Sequence, residues 1–562
     1  MAGAPGAVSP SCPVAGEPRG RAPLRAWAVA AVPKPRAGRS GVALYDTTLR
    51  DGTQGEGITF TVDDKLALAR KLDDFGMHYI EGGWPHPSRP QDVEFFRAAR
   101  RLKLKHARLT SFGSTRRARV STMADETIKA LLATGTKSVA IFGKSWDYHV
   151  TEVLHTSLEE NLAMVRESVR VLKRTGREVI YDAEHFFDGY KRNPAYALAT
   201  VLAAQEAGAD WLVLCDTNGG LLPFEVAEIV RNVKDRFTKP FGIHVHNDTE
   251  CGVANSLTAI QMGATMVHGT VNGYGERCGN ANLVSIIANL KMKLGEAVVS
   301  DTQLRGLRGL SLFVSELAAK PPRDELPYVG ASAFAHKAGV HADAMAKAER
   351  AYEHIAPGAV GNRRRILVSD MSGGATVRWK AGDYGLKLVK GDERGRRILA
   401  ELNRKEAAGY HYEGAEASFE LLVHRVTRNL KAPFELVDFR VAVEKRPDGT
   451  TVSEATLKVR VGGVTEHTVA VGDGPVNALD SALRKALGRF YPAIRNLHLV
   501  DYKVRVINPQ AATAAKVRVT IESTDGTDTW STVGVSENII DASWQALADS
   551  VEYKLLHGKV RR

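Results

Sequence analysis

The sequence predicts an α/β protein: a (β/α)8 TIM barrel, a helical linker subdomain, and a C-terminal α+β domain made of a ββα repeat. Two observations carry this prediction. A unit of one strand and one helix recurs about every 30 residues from residue 41, and eight such units are the number that closes a barrel. Near the C-terminus, a second pattern occurs twice, about 64 residues apart.

The eight predicted strands are short aliphatic or β-branched runs with few polar interruptions. Such runs are typical of parallel strands that are buried on both faces. They lie at 42–45, 79–82, 107–112, 138–142, 178–181, 211–215, 242–245 and 266–270. An open, doubly wound sheet is the alternative fold, but such a sheet rarely reaches eight units of this regularity. A closed barrel is therefore the favoured fold.

The helices are predicted from caps and from apolar spacing. Thr61 has the residue type and position of an N-cap for a helix over 65–72. Residues 158–173 and 193–206 carry apolar side chains at intervals of three and four, which is the helical period. We expect these helices to follow the fourth and fifth strands.

Four segments are expected along the chain. Residues 1–40 hold 7 of the 22 prolines and are expected to form a disordered extension, with an Arg-rich transit peptide as the alternative. The catalytic barrel is assigned to 41–300 and a linker or lid subdomain to 301–410. The last segment, 411–562, contains the repeat, in which 468–471 leading into 475–487 resembles 532–535 leading into 539–555. A duplication without a catalytic cluster indicates a ligand-binding or dimerising module.

Composition excludes several classes of protein. Hydrophobic residues make up 44% and charged residues 25%, which excludes a disordered or collagen-like chain. No apolar run approaches the ~20 residues of a membrane helix, so we expect no membrane partner. Four cysteines without paired spacing favour a reducing compartment, and a cytoplasmic location is predicted. The net charge of +12 suits an anionic small substrate as well as nucleic acid, and no nucleic-acid partner is expected.

Polar side chains occur at nearly every predicted strand end, where the active site of a barrel lies. Burying so many ionisable groups would be costly unless they served a site. The strand-end residues are Arg50, Asp51, Glu81, Glu184, Asp216, Thr217, His244, His246 and residues 276–280. We therefore predict the active site at this rim.

A metal site is the most specific of these predictions. His244 and His246 are two positions apart on a strand, so both imidazoles face the same side. Asp51 and Asn280 could add oxygen ligands from neighbouring strand ends. Mixed nitrogen and oxygen ligation suits Mg, Mn, Zn or Co. Two histidines that form only hydrogen bonds at the barrel mouth are the alternative interpretation.

The glycine-rich segment 273–279 does not indicate a dinucleotide site. Three residues, rather than two, precede its last glycine, and no strand at the start of a nucleotide-binding unit precedes it. A Rossmann interpretation is rejected.

Three motifs resemble those of the 2-isopropylmalate, homocitrate and citramalate synthase family. They are Leu49-Arg-Asp-Gly-Thr-Gln54 followed after ten residues by Lys65, His244-Val-His-Asn-Asp248, and Gly273-Tyr-Gly-Glu-Arg-Cys-Gly-Asn280. The resemblance extends over about residues 41–555. The segment Glu184-His-Phe-Phe-Asp-Gly-Tyr190 is most similar to the citramalate synthase branch. One departure, Thr249-Glu-Cys-Gly252, places the glycine later than the family usually does.

The resemblance implies an acyltransferase that condenses acetyl-CoA with a 2-oxo acid. It implies that a divalent metal is held by Asp51, His244, His246 and Asn280. It also implies that Arg50 stabilises the developing alkoxide and that Arg50, Thr217 and Glu81 bind substrate. Glu184 would help to remove the acetyl methyl proton, and His341 and Tyr352 would complete the site from the linker region, across a homodimer.

Each implied role has a structural alternative. Arg50 could be an ion-pair partner at the barrel mouth, Glu184 an ordinary supporting carboxylate, and His341 the start of a helix. The family's C-terminal domain binds a feedback amino acid, and isoleucine is expected here.

The citramalate branch implies pyruvate as the acceptor, in the pathway to isoleucine. The alternative is 2-oxoisovalerate, which would place the chain in leucine biosynthesis. One or two methyl groups separate the two acids, and Phe112 and Phe142 could narrow the pocket. Biotin-dependent carboxyltransferases and acyl-CoA lyases also use such barrels, but the chain lacks the Ala-Met-Lys-Met biotinylation motif. A non-enzymatic amino-acid sensor would leave the polar strand ends unexplained.

Overall fold

The computed structural model describes residues 41–558, apart from 338, 349, 369–373, 429, 508–509 and 511–514. The expected disordered extension, residues 1–40, lies outside the described residues. Among the described residues, no helix is both long and apolar enough to cross a lipid bilayer.

Eight parallel strands close into a barrel in chain order, so the predicted TIM-barrel fold is confirmed. The first strand pairs with the second and also with the eighth, where Asp46 lies opposite Gly269. The strands are β1 Ala43–Asp46, β2 Tyr79–Gly83, β3 Arg108–Ser114, β4 Ser138–Lys144, β5 Glu178–Glu184, β6 Trp211–Asp216, β7 Phe241–Val245 and β8 Met266–Gly269. All eight overlap the predicted runs.

Helices surround the barrel. They are α1 Val62–Phe75, α2 Pro90–Ala99, α3 Glu126–Thr134, α4 Leu158–Arg174, α5 Phe186–Arg192, α6 Pro194–Glu206, α7 Pro223–Val233, α8 Gly252–Met262 and α9 Leu283–Met292. Thr61 caps α1 as predicted, because its side chain accepts the N–H of Asp64 while the Asp64 carboxylate accepts the N–H of Thr61.

Two apolar layers fill the barrel. The larger one lies between the strands and the surrounding helices. The smaller one fills the interior and contains Tyr45, Tyr79, Phe112, Ala140, Ile180, Val213, Cys215 and Met266. Because the interior is packed with side chains, an open space remains only at the ends of the strands.

The linker region follows the barrel. It contains α10 Asp301–Arg305, α11 Leu307–Leu317, β9 Ala335–His336, α12 Gly339–Lys347, β10 Arg365–Ile366, α13 Gly374–Asp383 and α14 Glu393–Ala407. A third apolar core joins α13, α14 and α15 Glu416–Arg428 to two valines, Val533 and Val535. The linker is therefore packed against one part of the C-terminal domain.

The C-terminal domain consists of two copies, each with three antiparallel strands and a helix. The first copy is β11 Glu435–Lys445, β12 Thr451–Val461, β13 Val464–Gly472 and α16 Pro475–Leu487. The second is β14 His498–Val506, β15 Val517–Thr524, β16 Thr529–Ser536 and α17 Ile539–His557. Val533 and Val535 lie in β16.

Two contacts show the internal symmetry directly. The Thr468 hydroxyl donates to the carbonyl oxygen of Ala482 at 2.9 Å, and the Thr532 hydroxyl donates to that of Ala546 at 2.7 Å. Each pair ties a strand to the helix of its own copy at the same relative positions. The duplication inferred from the sequence is thus present in three dimensions.

Each copy has one strand more than the predicted ββα unit. The additional strands are β11 and β14, the first strand of each copy, and their side chains are almost all exposed or half-buried. Apolar and polar residues alternate along both strands, over 437–444 and 500–506, so the sequence carries the period-two signal of a strand there although neither face is consistently buried.

Asp73, near the end of α1, fixes the loop that leads into β3. Its carboxylate accepts the backbone N–H groups of Lys105, His106 and Ala107 at 2.7, 2.8 and 2.7 Å. Burial opposes the ionisation of Asp73, but these three donors outweigh it and lower the pKa of the carboxyl.

We expect Asp73→Ala to lower the free energy of unfolding by about 2–3 kcal/mol at pH 7, since three hydrogen bonds to a charged acceptor are lost. A carboxyl with a lowered folded-state pKa stabilises the fold above its unfolded pKa of about 3.9. This contribution is lost as pH falls through the folded value, so the difference from the wild type should shrink below about pH 4. Urea denaturation across this pH range measures it.

The matched control is Asp74→Ala. Asp74 is the next residue, but its side chain is 65% exposed and lies 3.6 Å from Lys105 as its ion-pair partner. It should change the free energy of unfolding by less than about 0.5 kcal/mol. Equal losses for the two variants would contradict the role given to Asp73.

Candidate active site

A cavity of about 380 Å³ opens at the carboxyl ends of the barrel strands, the rim where the sequence predicts the active site. Charged, polar and aromatic side chains at the ends of all eight strands, or in the loops that follow them, contribute to its wall. The lining residues are Arg50, Asp51, Thr53, Gln54, Trp84, Arg89, Asp92, Phe112, Phe142, Asp182, Glu184, Cys215, Thr217, His244, His246, Glu276 and Arg277.

Asp51, His244 and His246 form a compact cluster in this cavity. Their potential ligand atoms all lie within 4.8 Å of one another, and the three residues are buried. His244 Nε2 lies 3.5 Å from Asp51 Oδ2. The chain brings them together because β1 and β7 flank β8 in the closed barrel. The structure thus unites three of the four predicted metal ligands.

The fourth predicted ligand, Asn280, adjoins this cluster. Its backbone pairs with that of His246, and its side chain is 1% exposed. Its side chain also donates a hydrogen bond that favours the charged form of Asp51.

Each of the four predicted ligands has a buried polar atom without a hydrogen-bond partner in the described part of the chain. These atoms are Asp51 Oδ1, His244 Nδ1, His246 Nδ1 and Asn280 Oδ1. An unpaired buried donor or acceptor is costly, so the presence of such an atom on each of the four residues needs an explanation. Two imidazoles, a carboxylate and an amide oxygen are suitable donors for a divalent cation. The residues present therefore fit a metal.

The protonation states also fit a metal. Burial lowers the pKa of His244 to about 3 and also lowers the pKa of His246. Burial would raise the pKa of Asp51, but Arg50 and the two histidines lower it by more. Near pH 7 the imidazoles are consequently neutral and the carboxylate is charged, which are the states that coordinate metals.

Two glycines shape the turn that carries Asn280. Gly275 has φ +156°, and a Cβ there would lie 2.2 Å from the Asn280 side-chain nitrogen. Gly279 has φ +89°, and a Cβ there would lie 2.0 Å from the Gly273 carbonyl oxygen. Any larger residue would push the turn apart. The glycine spacing of this motif therefore serves to place the amide of Asn280.

Arg50 lies beside the metal-ligand cluster in a fixed orientation. Its guanidinium stacks 3.7 Å above the Phe112 ring and forms ion pairs with Glu81 at 2.5 Å and Asp51 at 3.2 Å. These contacts hold the Arg50 guanidinium in place. It therefore lies next to the position where negative charge would develop on a molecule bound at the metal-ligand cluster.

Glu81 does not lie where the prediction of substrate binding requires. It is fully buried and is absent from the cavity wall. Its oxygens accept hydrogen bonds from the Tyr45 hydroxyl at 2.5 Å, the Thr47 hydroxyl at 2.6 Å and Arg50. Its carboxylate is occupied by these donors. Glu81 therefore positions Arg50 rather than contacting the cavity.

Glu184 and Thr217 both line the cavity. The Glu184 carboxylate forms an ion pair with Lys144, its neighbour on β4. The Thr217 hydroxyl accepts the backbone N–H of His185 at 2.9 Å, which leaves its proton free to be donated. Asp216, another strand-end residue, turns away and accepts the N–H groups of Gly220 and Leu221, both at 3.3 Å.

His341 and Tyr352 lie elsewhere. Their rings stack on each other with centroids 4.0 Å apart, and neither residue lines the barrel cavity within this chain. Tyr352 is 46% exposed. A contribution of this pair to the active site of a partner subunit stays a prediction.

Asp182 is a site residue that the sequence analysis missed. It precedes Glu184 by two residues on β5, so both side chains face the cavity. Burial, followed by the neighbouring Glu81, raises the pKa of Asp182 well above its usual value, and its Oδ1 has no partner among the described residues. The available signal was an acidic residue inside an otherwise apolar strand.

Comparison with known proteins divides the chain into three matched regions. Residues 41–314 match the HMGL-like family model, residues 328–407 match the homocitrate synthase post-HMGL domain-like model, and residues 413–555 match the LeuA allosteric (dimerisation) domain. The three matches correspond to the barrel, the linker region and the repeated C-terminal domain.

Curated relatives match along most of their length. The (R)-citramalate synthase of Geobacter sulfurreducens is 55% identical, with 92% of this chain and 97% of the relative covered. That of Aquifex aeolicus is 53% identical, with 92% and 98% covered. A probable 2-isopropylmalate synthase of Methanopyrus kandleri is 31% identical, with 91% and 97% covered.

For the metal cluster, we expect His246→Ala to weaken Mn²⁺ binding by more than about 100-fold. Mutating a residue that only hydrogen-bonds to a metal ligand already lowers metal affinity by about 10- to 100-fold, and His246 is a predicted ligand itself. Isothermal titration calorimetry measures this, with circular dichroism as the check on folding. His86→Ala is the control, since His86 lies in the loop after β2 and outside the cluster. Unchanged Mn²⁺ affinity in a folded His246→Ala protein would contradict the metal site.

Proposed function

The chain belongs to the (R)-citramalate synthase family, and we propose that it condenses acetyl-CoA with pyruvate and water to give (R)-citramalate and CoA. The observation that carries this proposal is the high identity to citramalate synthases over nearly the whole chain. Identity to the relative with the 2-isopropylmalate synthase name is far lower over the same length. The activity is that of an acyltransferase that converts the acyl group into an alkyl group on transfer.

The acceptor would bind at the buried cluster. Asp51, His244, His246 and Asn280 would hold a divalent ion, Mg, Mn, Zn or Co, which supplies positive charge that polarises the 2-oxo acid. Thr217 has a free hydroxyl proton to donate to the acceptor's carboxylate. The proximity of the Asp51, His244 and His246 ligand atoms, all within 4.8 Å of one another, supports this arrangement.

Glu184 and Arg50 would carry the charge changes of the reaction. The Glu184 carboxylate takes a proton from the acetyl methyl group, and the resulting carbanion adds to the 2-oxo carbon. Arg50, fixed by Glu81 and Phe112, faces the alkoxide that forms there. Water then hydrolyses the thioester, which makes the overall reaction irreversible.

The other two domains would provide assembly and control. We propose a homodimer in which His341 and Tyr352 complete the site of the partner subunit. The match to an allosteric dimerisation domain supports both the dimer and a feedback effector at the C-terminal domain. Isoleucine is the proposed effector, as the end product of a pathway that begins with citramalate, and the cytoplasm is the proposed location.

The cavity wall favours a small acceptor. The Phe112 and Phe142 rings stack with centroids 5.5 Å apart, and Trp84 meets them edge-on at 5.8 and 5.5 Å. These three rings occupy the side of the cavity formed by β2 to β4, across the barrel from β7. In the proposed arrangement these rings would limit the space for a branched substituent more than for the methyl group of pyruvate.

We expect kcat/KM for pyruvate to exceed that for 2-oxoisovalerate by at least about 10-fold, because one or two methyl groups are worth 10- to 200-fold in a fitted pocket. CoA release from acetyl-CoA, followed with a thiol reagent in the presence of Mg²⁺ or Mn²⁺, measures both. A preference for 2-oxoisovalerate would favour 2-isopropylmalate synthase activity instead.

The same assay tests the aromatic wall. Phe142→Ala enlarges the cavity and should reduce the preference for pyruvate by about 10-fold. Phe224→Ala is the control, because Phe224 is 67% exposed and lies outside the cavity. An unaltered preference in Phe142→Ala would show that the aromatic wall does not select the acceptor.

For the regulatory domain, we expect isoleucine to inhibit CoA release and to weaken apparent substrate affinity by about 5- to 150-fold at saturation, the usual range of allosteric coupling. Leucine at the same concentration serves as the comparison. Equal inhibition by both amino acids, or none by either, would contradict isoleucine as the effector.

A further inference from the structure

The proposed reaction creates a negative charge to which no residue has yet been assigned. When Glu184 removes the methyl proton of acetyl-CoA, the thioester carbonyl oxygen becomes an enolate oxygen. Such oxygens are stabilised in enzymes by a fixed donor or cation close by. Arg50 and the metal ligands face the acceptor, so a separate group is needed for the donor substrate.

Lys144 lies beside the proposed base Glu184, although it is not itself one of the residues that line the cavity. It is the last residue of β4 and lies directly opposite Glu184 in the register of β4 with β5. Its side chain shares a face of the strand with Phe142, and its Nζ lies 5.5 Å from the Phe142 ring centroid. Both Phe142 and Glu184 line the cavity. The ammonium group is thus held beside the proposed base.

The environment of Lys144 is unlike that of a purely structural ion pair. Lys144 and Glu184 are 16% and 23% exposed, so the pair is largely withdrawn from water. An ammonium group has three donors. In the part of the chain that the structure describes, the only hydrogen-bonding or ionic partner of the Lys144 ammonium is Glu184.

The Lys173–Asp210 pair provides a contrast. Lys173 Nζ donates to both Asp210 oxygens, at 2.9 and 2.7 Å, and also to the Arg177 carbonyl oxygen at 3.1 Å. Asp210 in turn accepts the Val179 N–H at 2.7 Å. That lysine is saturated by protein groups, as a structural residue should be, whereas Lys144 retains donors.

We propose that Lys144 is a further catalytic residue that donates a hydrogen bond to the thioester oxygen of acetyl-CoA and stabilises its enolate. The inference rests on the proposed function and on Glu184 as the base. The methyl C–H bond breaks, its proton goes to the Glu184 carboxylate, and its electron pair forms the new C=C bond. The carbonyl π pair moves onto the oxygen beside Lys144.

The step then completes without a net change of charge among the three groups. Before proton transfer the ammonium faces a carboxylate, and afterwards it faces the enolate oxygen while Glu184 is neutral. When the enolate carbon adds to the 2-oxo carbon of the acceptor, the C=O bond of the thioester is restored. Because the negative charge moves only between two partners of one cation, a half-buried site can accommodate it.

The test compares Lys144→Gln with the wild type in full-length protein, using acetyl-CoA and methyl-trideuterated acetyl-CoA with pyruvate. Loss of one oxyanion donor typically costs 10²- to 10³-fold, so kcat should fall by about 100-fold or more. The KM for pyruvate should stay within about threefold. The deuterium isotope effect on kcat should rise, because proton removal becomes slower than the later steps.

Lys173→Gln is the matched control, since it removes a lysine from an ion pair away from the cavity. It should retain the kcat and the isotope effect of the wild type. A folded Lys144→Gln enzyme with a wild-type isotope effect would overturn the proposal, because a merely structural lysine would not slow the proton-removal step selectively.

Lys144→Arg keeps the test decisive if the glutamine variant does not fold. Arginine retains the cation and its donors, so kcat should stay within about 10-fold of the wild type. A folded arginine variant that has lost activity by about 100-fold or more would contradict a role for the positive charge. Failure of the proposed function is distinguishable, because the wild type would then release no CoA with pyruvate.

Discussion

The pairing of β1 with β8 is the constraint on which the site depends. This pairing closes the sheet and brings Asp51, near the start of the barrel, beside His244, His246 and Asn280, about 200 residues later. Parallel strands all end at the same rim, so the residues that follow them face one another. The metal cluster, the arginine beside it and the proposed base therefore come together because the barrel closes, and local sequence alone would not bring them together.

Charge balance within the rim follows from burial. Asp51, Glu81, Asp182 and Glu184 lie close together, with Arg50 and Lys144 as the neighbouring cations. Glu81 is held by three donors, Asp51 by Arg50 and the histidines, and Glu184 by Lys144. Asp182 Oδ1 has no hydrogen-bond partner among the described residues, and burial raises the pKa of Asp182 well above the usual value. Burial thus disfavours the charged form of one of the four acidic side chains.

The fold could be predicted from the sequence where a strand is buried on both faces, or where a helix cap is formed by residues close together in the chain. The eight strands and the Thr61 cap are of this kind, and the polar strand ends located the cavity. Sequence patterns fail where a side chain's role depends on distant partners. Glu81 has the position of a ligand-binding residue, but Tyr45, Thr47 and Arg50 occupy it. The exposed strands β11 and β14 alternate apolar and polar residues, so their sequences carried a strand signal that the ββα prediction did not use.

The third apolar core connects the linker helices to the second of the two C-terminal repeats. Although the two C-terminal repeats are equivalent in architecture, the linker helices share their core with Val533 and Val535 of the second repeat, and no residue of the first repeat belongs to that core among the described residues. A displacement of the second repeat would therefore reach the linker helices through the two valines of β16. The helix that carries His341, α12, contacts α13, which belongs to the same shared core.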